Sequence, residues 1–316
     1  MRWFQCLRRY AATSVLRCSP LNRALIFEEY MLYYLESEFT RKSKLEIEAD
    51  LDSARKWISE ELELDFRRTR LGWYLDYLQG KEKLDSLDDF KQYILIAREV
   101  HDLLRVFRSF IGSVDLEVKS KIETALSGQH FRYQAAKEEL DRSRDYLHEL
   151  SIASRFKDNG LSVDIRGLCD VIVRYEKYKI FIECKRIKSE IQLFKRFKKA
   201  EKQLKNRIGN SPNNKIGYIA LDITDLIVVD DVLLEYSSVN QLSEYFYNKL
   251  KIYVAQHKSK IKDYVGRSTK SVLFSVNGFG YVKDKGVVNT TIFYAVGCES
   301  SHKDFKNNDN ILKKAL

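Results

Sequence analysis

The sequence predicts an α/β protein: a mixed sheet flanked by helices over residues 129–300, an all-α stretch before it over 1–128, and a polar tail over 301–316. Three observations carry that expectation. Beyond residue 160, short runs rich in β-branched residues alternate with amphipathic stretches. Through residues 24–127, apolar positions recur at helical spacing and proline is absent. One segment, 190–208, carries both the start and the stop signals of a helix. With 316 residues, 44% of them hydrophobic and 32% charged, the chain has length for about two domains and too much apolar content for charge-driven disorder.

In the N-terminal part, Leu25, Ile26, Tyr30, Tyr33 and Tyr34, and later Ile94, Ala97, Val100, Leu104 and Phe107, mark helices. No fixed-period repeat is visible, which predicts an irregular bundle rather than a solenoid. The pattern breaks at Ser127-Gly128, and a long helix then runs to about Asp158, where Asn159-Gly160 stops it. Strands are predicted at 161–166, 168–175 and 178–185. For the helix at 190–208, Ser189 and Gln192 form an S-x-x-Q capping box, and Gly209 followed by Pro212 closes it. Its apolar face is expected to hold Ile187, Ile191, Phe194, Phe197, Leu204 and Ile208. A strand at 215–223, a helix at 239–262 and strands at 271–276 and 287–296 follow. Asn277-Gly278-Phe279-Gly280 reads as a β-turn, since no Lys-Ser/Thr follows to make a phosphate loop.

The formal net charge is +10, and its distribution matters more than its size. Residues 186–207 hold nine bases and two acids, and residues 1–27 hold five Arg and no acid, so the remainder is slightly acidic. Lys195, Arg196, Lys198, Lys199, Lys202, Lys205 and Arg207 are therefore candidates for contact with a nucleic-acid backbone, the alternative being an ordinary solvated face. The Arg-bearing first 27 residues form a basic leader into the first helix or, alternatively, a mitochondrial presequence. Five cysteines without a C-x-x-C pair predict reduced thiols in the cytoplasm, and no apolar run is long enough to span a membrane. Five isolated histidines show no metal-ligating spacing.

The informative stretch runs from Asp170 to Lys185. It reads as two strands joined by a tight turn at Glu176-Lys177, so that Tyr175 faces Tyr178 and, in the same register, Asp170 faces Glu183. Directly opposed carboxylates repel. A divalent cation between them removes the conflict, because carboxylate oxygens are hard ligands suited to Mg²⁺. Alternation places Lys185 on the face of Glu183, with Cys184 turned away. The competing reading is an edge hairpin whose solvent face happens to be charged.

These residues resemble the PD-(D/E)XK nuclease superfamily, in which an Asp begins one strand and an E-x-K motif lies on the next: here Asp170 and Glu183-Cys184-Lys185. The family's Glu on the preceding helix is matched by Glu149, and a Gln on the following helix, as in Mrr-type restriction enzymes and Holliday-junction resolvases, by Gln203. Cys169 stands where the family name has proline. The resemblance covers about residues 131–296 and implies a restriction-endonuclease-like fold. It further implies Mg²⁺- or Mn²⁺-dependent phosphodiester hydrolysis, DNA rather than RNA as substrate, and a role in restriction, anti-phage defence or repair. By the same resemblance, Asp170, Glu183 and the Cys184 carbonyl would hold the metal, Glu149 would complete a second site, and Lys185 would orient the attacking water. Independently of the resemblance, Asp222 ends an apolar strand, where it would approach the site or serve as an N-cap or turn residue. A catalytically silent nucleic-acid-binding module is the rival reading. A homodimer, and a protein partner held by the N-terminal helices, are further expectations.

Overall fold

The computed structural model describes residues 32–35, 44–80, 87–130, 141–167, 169–209, 214–228, 234–283, 285–297 and 311–312. The basic leader 1–27, with its presequence alternative, lies outside the described residues, as does most of the tail. Helices α1 (Lys44–Lys56), α2 (Arg70–Gly80), α3 (Leu87–Phe110) and α4 (Leu116–Leu126) are followed by α5 (Arg142–Asp158). The sheet is built from β1 (Leu32–Leu35), β2 (Ser162–Asp164), β3 (Val171–Tyr175), β4 (Tyr178–Arg186), β5 (Lys215–Asp222), β6 (Glu235–Tyr236), β7 (Thr269–Val282) and β8 (Gly286–Gly297). Three further α-helices follow, α6 (Glu190–Ile208), the single turn α7 (Thr224–Ile227) and α8 (Val239–Tyr264), and two short irregular helical turns, Trp57–Glu61 and Phe66–Arg68, lie between α1 and α2.

The protein is a mixed α/β structure. Seven strands run in the order β1-β8-β7-β5-β4-β3-β2, and β6 pairs with β7 off that path. β4, β5 and β7 are mutually parallel, whereas β2-β3-β4 and β7-β8-β1 are antiparallel. Parallel strands with helices on both faces must be apolar on both. In β5, Tyr218 and Ala220 accordingly join the core beneath α5 and the N-terminal helices, while Ile219 and Leu221 join the core beneath α6 and α8. The first of these cores is continuous from Leu51, Trp57 and Leu103 through Leu147 and Phe156 to Val171, Ile180 and Phe293.

Several expectations need correction. Tyr33 and Tyr34 lie not in a helix but in β1, paired with β8, because a four-residue apolar run suits a strand edge as well as a helix turn. Of the predicted apolar face of α6, Ile187, Phe197, Leu204 and Ile208 are buried and Phe194 packs on the core, but Ile191 is 90% exposed and Leu193 and Ala200 are buried in addition. The capping box is not formed: the Ser189 side chain makes no cap hydrogen bond, and the Gln192 N–H donates to the Ser189 carbonyl instead (3.0 Å). In the tail, Ile311 and Leu312 are fully buried against the first core rather than at the surface.

Asn277-Gly278-Phe279-Gly280 is the interior of β7, paired with β8 throughout, rather than a turn. Its glycines are there for close approach. A Cβ on Gly278 would lie 2.3 Å from the Phe246 ring on α8, and one on Gly280 would lie 2.4 Å from the Tyr236 ring. Gly278→Ala is therefore expected to destabilise by about 1–3 kcal/mol, the usual cost of overpacking, read as a lower urea midpoint. An unchanged midpoint would mean that α8 does not rest on the sheet there.

Candidate functional site

The site is built at the end of the sheet where β4 finishes and β3 begins. The β3–β4 register pairs Tyr175 with Tyr178 and Val171 with Ile182, as the sequence predicts. Continued by one position, it brings Asp170 beside Glu183. Alternation on β4 sends Cys184 into the core under α5 and Glu183 and Lys185 to the α6 side.

The Lys185 ammonium is the hub. Its Nζ donates to Asp170 Oδ2 (2.8 Å), Glu183 Oε2 (3.2 Å) and the Cys184 carbonyl (2.9 Å). Asp170 Oδ2 also accepts the Cys184 backbone N–H at 2.8 Å. Each carboxylate oxygen is thus within 3.2 Å of one nitrogen, which leaves the pair less than twice that distance apart. Glu183 is fully buried. A buried carboxylate persists as an anion only when paired and hydrogen-bonded, and its Oε1 meets the Arg207 guanidinium of α6 and the Cys169 thiol (3.3 Å).

Glu149, on α5, is joined to this group through Lys121 of α4. The Lys121 Nζ lies 3.2 Å from Glu149 Oε2 and 3.3 Å from the Asp170 carbonyl. Burial, followed by repulsion from Asp170, pushes the Glu149 carboxyl up to about 7 despite Lys121 and Lys185.

The structure therefore brings Asp170, Glu183, Lys185, the Cys184 carbonyl and Glu149 into one network. Arg207 does not face solvent with the lysines of its helix but turns to Glu183. Gln203, one turn earlier, is half-buried, and its Oε1 has no partner among the described residues. Lys195, Lys198, Lys199, Lys202 and Lys205 are exposed and Arg196 is half-buried. Asp222 belongs elsewhere: its Oδ1 accepts the Thr224 N–H (2.9 Å) and hydroxyl, a turn role at α7. Lys121 was missed by sequence reasoning, because it comes from a distant helix with no motif. Arg207 was noticed only as one base among many, although its place beside buried Leu204 and Ile208 marks it as facing inward.

Among the described residues, no group of three or more His, Cys, Asp or Glu side chains stands in metal-holding geometry. The donors at the hub nevertheless suit a hard cation: two carboxylate oxygens and a carbonyl oxygen already surround one positive nitrogen. Asp170, Glu183 and the Cys184 carbonyl are the groups that could hold one.

A second polar cluster lies beside the first, between α5 and the sheet. Arg186 reaches Asp141 (3.5 Å), Asp222 (3.5 Å) and Asp225 (3.2 Å), and Arg144 reaches Glu99 (2.8 Å) and Asp141 (3.2 Å). Burial opposes the charge on Asp141, but Arg144, Arg186 and Lys188 outweigh it and hold its carboxyl down at about 2. A cavity of about 30 Å³ in this cluster is lined by Asp102, His148, Arg155, Arg186, Asp222 and Asn277. It has room for about two waters.

Comparison of the chain with protein-family models, curated proteins and solved structures found no match.

The Glu149 shift has a consequence for stability. With a folded-state value of about 7 against an ordinary 4.5, the folded protein holds this proton more tightly than the unfolded chain. This contribution is fully present below pH 4.5 and is lost as pH rises through 7. Glu149→Gln is expected to flatten the decline in unfolding free energy between pH 5 and pH 8 by on the order of 2 kcal/mol, followed by urea denaturation in metal-free buffer. Parallel wild-type and variant curves would remove Glu149 as the titrating group.

Proposed function

We propose that the chain is a metal-dependent nuclease of the PD-(D/E)XK, restriction-endonuclease-like type, hydrolysing phosphodiester bonds in DNA with Mg²⁺ or Mn²⁺. The observation that carries this reading is the convergence of Asp170 Oδ2, Glu183 Oε2 and the Cys184 carbonyl on the Lys185 ammonium. An isolated charged edge hairpin needs no such convergence, and a buried Glu183 on a solvent face is contradictory.

In this reading Asp170, Glu183 and the Cys184 carbonyl hold the metal, and Glu149 adds a further carboxylate. When bound, the metal lowers the pKa of a coordinated water and neutralises charge developing on the phosphate. The Lys185 ammonium orients the attacking water by hydrogen bonding and offsets negative charge in the transition state. The exposed lysines of α6 hold the backbone of the strand being cut.

Wild-type protein is expected to nick plasmid DNA and to cut oligonucleotides when Mg²⁺ or Mn²⁺ is added, with Asp170→Asn and Lys185→Ala each slower by roughly 10²-fold or more. Equal rates in all three would remove these residues from catalysis. The rival reading, a silent binding module, is favoured by one observation: every carboxylate of the site already has a basic partner from the chain itself. Salt-sensitive DNA binding without metal-dependent cutting would establish it. In either reading, replacing Lys198, Lys199 and Lys202 by Ser is expected to weaken duplex binding and to reduce the slope of log K against log salt by about 0.9 for each phosphate no longer neutralised. An unchanged slope would move the binding surface elsewhere.

A further inference from the structure

Glu183 has two cationic neighbours of different kinds. Lys185 belongs to its own strand and also serves Asp170. Arg207 arrives from α6 and takes the other carboxylate oxygen, Oε1. A divalent cation at Glu183 must compete with both charges. Lys185 has further acceptors in Asp170 and the Cys184 carbonyl, whereas Arg207 pairs with no other carboxylate among the described residues: its side chain is only 18% exposed, and an unpaired charge is costly there.

The surroundings offer Arg207 somewhere to go. Gln203 is four residues earlier on the same helix, so the two side chains are neighbours on one face, and Gln203 Oε1 is a buried acceptor without a partner among the described residues. On the same helix, exposed Lys198, Lys199, Lys202 and Lys205 form a surface suited to polyanions. A guanidinium matches a phosphate by paired N–H donation, more specifically than an ammonium does.

We propose that Arg207 is a displaceable counter-ion: it closes Glu183 in the metal-free protein, and a backbone phosphate draws it away, so that divalent metal and nucleic acid bind cooperatively. Gln203 is the positioning residue that accepts from the guanidinium in the displaced state. This proposal rests on the metal-nuclease reading above. Linkage makes the coupling reciprocal: the factor by which duplex tightens metal binding is the factor by which metal tightens duplex binding.

The experiment is Mn²⁺ binding by calorimetry and electron paramagnetic resonance on the full chain, with and without a short phosphorothioate duplex. Asp170→Asn is the control for the site. Wild type is expected to bind Mn²⁺ weakly alone and about 10-fold more tightly with duplex, within the usual range of coupled sites. Arg207→Gln is expected to bind Mn²⁺ about 10-fold more tightly than wild type without duplex and to gain little from adding it. If wild type binds Mn²⁺, Asp170→Asn abolishes that binding, and duplex leaves the affinity unchanged, the gate is overturned while the metal site stands. The gate is likewise overturned if folded Arg207→Gln binds Mn²⁺ no better than wild type, since Arg207 is then a fixed structural partner. Should Arg207→Gln fail to fold, wild-type coupling decides the matter, together with Arg207→Lys, which keeps the charge and is expected to bind Mn²⁺ weakly alone with a reduced duplex effect. Absence of Mn²⁺ binding in every protein and condition overturns the metal reading and the gate with it.

Discussion

Pairing of β3 with β4 sets Asp170 and Glu183 side by side at one end of the sheet, and two carboxylates in that position repel unless positive charge lies between them. Lys185 supplies it from two residues along the same strand, because alternation returns its side chain to the face of Glu183. The rest of the site is arranged around that conflict. Arg207 closes the far side of Glu183, Lys121 ties Glu149 to the Asp170 backbone, and the Cys184 N–H fixes the orientation of the Asp170 carboxylate. Remove the register and none of these groups has a common point to meet.

The second polar cluster shows how the N-terminal helices are attached to this sheet. Arg144 of α5 pairs with Glu99 of α3, which also meets Arg70 of α2, and Arg144 and Arg186 of β4 share Asp141. Buried pairs of this kind contribute little net stability compared with apolar packing, but breaking one member leaves a stranded charge. Each pair thus ties two elements together at a point where neither partner can be removed alone without that cost. His148 and Glu149, adjacent on α5, fall on either side of this division: the imidazole lines the polar cavity, while the carboxylate turns to Lys121. One helix thus couples the packing of the N-terminal part to the geometry of the site.

What could be read from the sequence was what local rules determine. The hairpin register followed from a two-residue turn and strict alternation, and the end of α6 followed from Gly209, while its start falls at Ser189 although the predicted capping box is not formed. Where local rules allow two answers, only tertiary packing decides. Tyr33-Tyr34 is too short a run to choose between helix and strand without β8 beside it. Gly278 and Gly280 look like turn residues until Phe246 and Tyr236 press on them. Ile191 and Leu193 are equally apolar, and which of them is buried depends on where the sheet lies. Lys121 carried no signal, since its partners Glu149 and Asp170 are 28 and 49 residues away.

The excess charge of residues 186–207 looked uniform in sequence and is not uniform in space. Arg186 and Lys188 are drawn to the acids of the polar cluster, and Arg207 to Glu183. The two acids of the segment are also engaged, Glu190 with His257 and Glu201 with Thr269. The solvent-facing positive charge of the segment therefore resides in the exposed lysines of α6, on a helix whose opposite side is anchored by Phe197, Leu204 and Ile208. The same helix carries Arg207 in its last turn. The exposed lysines and the guanidinium that touches Glu183 are therefore carried on one helical backbone, on different faces of it.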